Sequence, residues 1–92
     1  MASLLARFKL DDYDAWKQGT FDRDPAGRRE AAKGHRIMRN VGDPNDIFIA
    51  VDFDSADSAR AFHERLMSSG ALEAVTVVTE PTVVEEVDSE TY

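Results

Sequence analysis

From His35 to Phe62 the chain reads HRIMRNVGDPNDIFIAVDFDSADSARAF, and no other stretch limits the possible folds as strongly. Asp46 to Phe53 alternates strictly: Ile47, Ile49, Val51 and Phe53 fall on one side, with Phe48, Ala50 and Asp52 on the other, which is the period-two pattern of a strand. The first set is the better core face, yet the second is still largely apolar, so both faces need cover. His35 to Asn40 reads as a partner strand. The turn residues Gly42-Asp43-Pro44-Asn45 between them predict a hairpin. Asp54 or Ser55 then offers a helix cap, Ala59, Phe62, Leu66 and Met67 recur at helical spacing, and Gly70 supplies a stop.

The flanking segments complete a pattern. Ser3 to Leu10 alternates Leu4, Ala6, Phe8 and Leu10 against Leu5, Arg7 and Lys9, a half-buried first strand. Asp11 and Asp12 can cap a helix that carries Tyr13, Trp16 and Thr20 on one face with Phe21 beside them. Gly19 weakens this helix and Asp24-Pro25 restarts it, with Pro25 at the first helical position and Gly34 as the stop. Leu72 to Thr79 reads as a helical turn or a strand, and Thr82 to Val87, after Pro81, as the last strand. The order strand-helix-strand-strand-helix-strand is the split unit of an α+β ferredoxin-like plait, an antiparallel sheet with both helices on one face. Residues 1–88 are expected to form one such domain and 89–92 a frayed tail.

Composition removes several function classes. With 92 residues the chain is one domain, and alone it hides only roughly 60–65% of its unfolded surface, so a second subunit would help it. No apolar run approaches the ~20 residues of a membrane helix, and Arg7 and Lys9 follow the short amino-terminal apolar run rather than precede it, the reverse of a secretory signal. A cytoplasmic protein is expected. The absence of cysteine excludes disulfides, thiol chemistry and cysteine-ligated metals. A net charge of -7 repels phosphate backbones, and the third strand lacks the Lys, Arg and aromatic pattern of an RNA-recognition sheet. The basic group Arg28, Arg29, Lys33, Arg36 and Arg39 reads as a solvated or salt-bridged face. His35 and His63 have no metal-ligand spacing, so no metal is expected.

A resemblance then covers most of the chain. DDYDAWK after the first strand, Gly34 before the second, Asp43-Pro44-Asn45 in the hairpin, Asp52-Phe53-Asp54 leading into Ala59-Arg60-Ala61-Phe62, and the EEV near the end resemble the small dimeric alpha-beta barrel proteins related to antibiotic biosynthesis monooxygenases. In that superfamily two plaits pair their open sheet faces into a barrel, and the cavities of different members hold aromatic, polyketide-like or haem substrates. The resemblance implies a homodimer, and it supplies a cover for the apolar second face of the third strand. It also implies oxygenation without a bound cofactor, in which the deprotonated substrate itself delivers an electron to oxygen. The haem-degrading members carry an Asn on the first strand, where this chain has Arg7 and Lys9.

Candidate residues follow from alternation. If Ile37 and Ile49 face the helices, the other side of the sheet presents Leu5, Arg7, Met38, Phe48, Ala50 and Asp52 as a ligand pocket, with Arg36 and Asn40 beside them as polar anchors; a one-residue slip would exchange every one. Asp52 would lie within reach of Arg36 or Arg7 as a buried pair. His35 is expected either at the barrel as a general base or as a strand-end surface residue. Trp16 with Tyr13 is expected to pack the core, and His63 to pack or lie at the surface. Two functions remain open: a cofactor-free oxygenase or cyclase acting on an aromatic or polyketide-like molecule, and a non-enzymatic ligand-binding or accessory dimer whose barrel is filled by Met38, Phe48 and Leu5.

Overall fold

The computed structural model describes residues 2–92. Strands β1 (Ala2–Lys9), β2 (Gly34–Asn40), β3 (Asp43–Phe53) and β4 (Thr76–Glu85) form one sheet in the order β2-β3-β1-β4, and each neighbouring pair is antiparallel. With helices after β1 and after β3, this is the α+β ferredoxin-like plait that the element order predicts. Alternation places Ala2, Leu4, Phe8, Ile47, Ile49, Val51 and Phe53 under the helices, where they make the core with Trp16, Phe21, Ala59 and Phe62. Ile37 pairs with Ile49, so the register on which the open-face assignments depend is the one observed.

Helix α3 (Ala56–Ser68) forms as its sequence dictates. The Ser55 hydroxyl accepts the Ser58 amide at 3.2 Å, Ala59 and Phe62 are buried one turn apart, and Gly70 takes the left-handed φ of +78° that ends the element. Met67 is half exposed rather than part of the buried stripe. The first helical region is broken, as Gly19 suggests: α1 (Tyr13–Trp16), capped by Asp12, runs into a wider π-turn over Lys17–Phe21.

Three local expectations are corrected. The hairpin turn is tighter than its composition indicates, so Asp43, Pro44 and Asn45 belong to β3 rather than to the turn. Pro25 does not open a helix; the chain bends at Asp24, whose φ is +55°, and α2 (Arg28–Ala31) starts three residues after Pro25, with Gly34 already in β2. Strand β4 begins at Thr76, after a 3-10 turn over Ala71–Ala74, and passes through Pro81. Proline has no amide to give the ladder, and the register with β1 shifts between Leu5 and Arg7 beside it.

Candidate functional site

The two faces of the sheet carry different chemistry. On the open face, cross-strand pairing sets Arg36 and Leu5 on either side of Ala50, and Met38 and Arg7 on either side of Phe48. Leu5, Arg7, Met38, Phe48, Ala50 and Asp52 therefore share this face with Arg36. Ala50 is buried between its neighbours, whereas Leu5, Met38 and Phe48 remain 41%, 43% and 38% exposed. Arg7 lies over the Phe48 ring at 4.8 Å and sends two hydrogen bonds to Asp46, from Nε at 2.9 Å and from Nη2 at 2.7 Å. Asn40 Nδ2 adds a third donor to Asp46 at 3.0 Å. These donors, Arg7 first, hold the Asp46 carboxyl far below its ordinary range although the residue is buried.

This network corrects the expected pairing of Asp52. Asp52 accepts the Ser3 hydroxyl at 2.6 Å, while Arg7 reaches the diagonal residue Asp46 across the strand pair. The depressed carboxyl makes a pH prediction. Ionised Asp46 contributes stability fully above the unfolded carboxyl value of about 3.9, and the contribution is lost as pH falls from there toward the lower folded value. Wild type should therefore lose thermal stability between pH 5 and pH 3 faster than Asp46→Asn, followed by circular dichroism; parallel curves would show that the network is energetically silent.

His35 is not part of that face. It pairs with Val51, a core residue, and its ring meets Phe21 edge-on with centroids 4.9 Å apart, so it lies on the helix-covered side. The reason is alternation: once Ile37 faces the helices, His35 two residues earlier must do so as well. Partial burial lowers its pKa from the usual value, and the charges of Arg28, Lys17 and Arg29 push it further down. The imidazole is neutral at pH 7. Arg36 and Asn40, grouped with it on the sequence, sit on the opposite face.

The helix side holds the enclosed space. A cavity of about 70 Å³, partly open to solvent, lies between sheet and helices, with Leu4, Phe8 and Ile49 on its floor and Trp16, Phe21 and Phe62 among its walls. Arg28 lines it too. Beyond Arg28, a cleft of about 270 Å³ is bordered by Arg28, Arg29, Ala32, Lys33, Gly34 and His35. Arg28 thus belongs to both spaces, and it is buried, contrary to the solvated face its sequence neighbourhood suggests. Its guanidinium stacks on Phe21 at 3.7 Å and donates from Nη1 to the Phe21 carbonyl at 3.2 Å. Asp24 folds back to accept the Arg28 and Arg29 amides at 2.7 and 3.2 Å and comes within 3.8 Å of Nη1. Burial lowers the Arg28 pKa, against the opposing pull of Asp24. The available signal in the sequence is the Asp24 to Arg28 spacing of four, which marks a local ion pair but says nothing of burial.

No protein-family model matches the sequence, and no curated protein matches it. Solved structures do match in fold. A protein of Deinococcus radiodurans classed as an antibiotic biosynthesis monooxygenase aligns with 100% of this chain and 98% of its own at a TM-score of 0.69 and 11% identity. SnoaB, a cofactor-independent oxygenase from Streptomyces nogalater, aligns over 96% of this chain and 94% of its own at a TM-score of 0.70 and 17% identity. A Bordetella bronchiseptica protein of the same class gives 0.57 at 15% identity, covering 97% of each chain. The burial, the strand order and these full-length alignments together give this chain the fold of the small stand-alone antibiotic biosynthesis monooxygenase proteins.

Proposed function

We propose that the protein is a cofactor-independent oxygenase of a small phenolic or enolic aromatic molecule. The observation that carries this reading is the aromatic-walled cavity with a buried guanidinium at its edge and, in the adjoining cleft, a neutral imidazole. Oxygenation without a cofactor needs the ring as its own reductant: removal of its acidic proton gives an anion that passes one electron to O2, and the resulting radical pair joins as a carbon–oxygen bond. His35 is the general base of this reading, because a neutral imidazole with a lowered pKa accepts a proton at pH 7. Arg28, at the boundary of the two spaces, favours the anion electrostatically. The likeness to SnoaB supports the class of chemistry. The test is oxygen uptake with a panel of phenols and quinols; no turnover by wild type would end the proposal. A pH profile adds a second check: kcat/KM should fall on the acid side with a limb below about 6.5, where His35 becomes protonated.

The size of the cavity favours a second reading. About 70 Å³ is well below the roughly 300–1,000 Å³ of a typical ligand pocket, as a non-enzymatic accessory dimer would have it.

In both readings a second copy of the chain covers the open face. Leu5, Met38 and Phe48 form an exposed apolar band across three adjacent strands, and such a band on a small domain gains from burial. Native mass spectrometry at micromolar concentration should give a dimer mass that Phe48→Glu converts to monomer. A monomeric wild type would remove the dimer from the proposal.

A further inference from the structure

Arg28 holds a donor that the chain does not use. Its side chain is 7% exposed, and its Nη2 is buried with no hydrogen-bond acceptor among the described residues. A buried donor left unpaired has lost its hydration without compensation, and the cost is larger when it is charged. The neighbouring carboxylate does not satisfy it. Asp24 is engaged with two backbone amides of α2, and its approach to the guanidinium is to Nη1. The other acids nearby are occupied as well: Asp22 pairs with Lys17 at 2.5 Å and Asp54 with Lys33 at 3.1 Å. The charged side chains bordering the cleft beyond Arg28 are all basic, namely Arg28, Arg29 and Lys33, with His35 beside them. On a chain of net charge -7, a cleft bordered only by basic side chains, even with Lys33 paired to Asp54 and Asp24 beside Arg28, is where an anion meets least repulsion.

The other side of Arg28 is apolar. The guanidinium stacks on Phe21, which stacks in turn on Trp16 at 5.1 Å, and both rings wall the cavity. A planar donor fork at the edge of an aromatic-walled space suits a ligand that is flat and apolar at one end and carries a planar anion at the other. We propose that Arg28 is the recognition site for the carboxylate of an aromatic acid, whose ring enters the cavity beside Trp16 and Phe21. The proposal rests on reading this cavity as the aromatic binding site. The ring is single: a cavity of about 150 Å³ holds a benzene, and the present one of about 70 Å³, open on one side, admits only the edge of one ring unless its walls move apart.

Benzoate and its neutral analogue benzyl alcohol separate the charge from the ring, and inorganic phosphate separates the anion from the ring. Titration of the intact protein by NMR amide shifts or calorimetry should show benzoate binding at least about tenfold more tightly than benzyl alcohol or phosphate, since a charge-assisted pair replaces an unpaired buried donor. Shifts should centre on Trp16, Phe21 and Arg28, and Arg28→Met should abolish the preference while still binding benzyl alcohol. Should Arg28→Met fail to fold, Arg28→Lys keeps the charge without the fork and should lower the preference several-fold, and the wild-type ratio decides in either case. Equal binding of benzoate and benzyl alcohol would overturn the role of Arg28 and leave the aromatic cavity standing. Phosphate binding as tight as benzoate would reduce the site to a plain anion cleft and overturn the proposal. Binding of none of the three would overturn the proposal together with the cavity reading on which it rests.

Discussion

Phe53→Ala should lower the unfolding free energy by about 3–5 kcal/mol, the cost of truncating a fully buried aromatic ring. Phe53 has no exposed surface, packs against Phe62 with centroids 5.4 Å apart, and ends β3 where α3 crosses the sheet. Its side chain therefore joins two layers, and its loss leaves a void that both must close. For a domain of this size each kcal/mol shifts the melting temperature by about 4–8 °C, so a fall of at least about 12 °C is expected. Because small domains hold only about 5–15 kcal/mol in total, the variant approaches the unfolding limit at ordinary temperatures. Val87→Ala, at a position 89% exposed and past the end of β4, is the control and should change stability by no more than about 0.5 kcal/mol. Guanidinium titrations of the two variants decide the matter: a Phe53→Ala midpoint close to wild type would mean that the core is not organised around β3.

His35→Gln should reduce oxygen uptake by about 10²–10⁴-fold on any substrate that wild type turns over, the range for loss of a positioned general base. Glutamine is close to the imidazole in size but takes no proton near neutral pH, and because it loses the edge-on ring contact with Phe21, a melting temperature near that of wild type is the control that assigns the loss to chemistry. A base also predicts rescue in direction: substrates already ionised at the assay pH should be affected least. Arg36→Gln and Asn40→Ala lie on the opposite face of the sheet, and under the same reading they should leave kcat within a few-fold of wild type while Asn40→Ala loosens Asp46. Unchanged turnover in His35→Gln would remove the histidine from the mechanism; a large loss in Arg36→Gln would move the reacting site to the open face.

The fold was legible because its signals are local. Alternation in β1 and β3, the Ser55 cap, Gly70 and the break after Trp16 each concern residues within a few positions of one another, and each is satisfied by backbone geometry that the side chains impose directly. The register came from the same source, since shifting β3 by one would expose Ile47, Ile49, Val51 and Phe53 together. Where the reading missed, two rules competed. Asp43, Pro44 and Asn45 look like a turn by composition, yet the ladder extends through them because Asn45 ties its backbone carbonyl to Leu10 and its side chain to Tyr13.

The site was much less legible, because its parts meet only in three dimensions. Arg28 looks like one member of a local group of five basic residues, and nothing in its neighbours reveals that the chain bends at Asp24 and lays the guanidinium on Phe21. His35, expected at the barrel or at the strand-end surface, lies instead on the helix-covered side, since one register decided both its face and that of Arg36. Asp46 and Arg7 are 39 residues apart and join across a diagonal of the sheet. The sequence by itself determined a plait with an apolar second sheet face, because periodicity and capping act through the nearest turns of chain. The tertiary structure alone decided which charges are buried, which face holds the cavity and which donor is left unpaired, because those depend on how distant segments exclude water from one another.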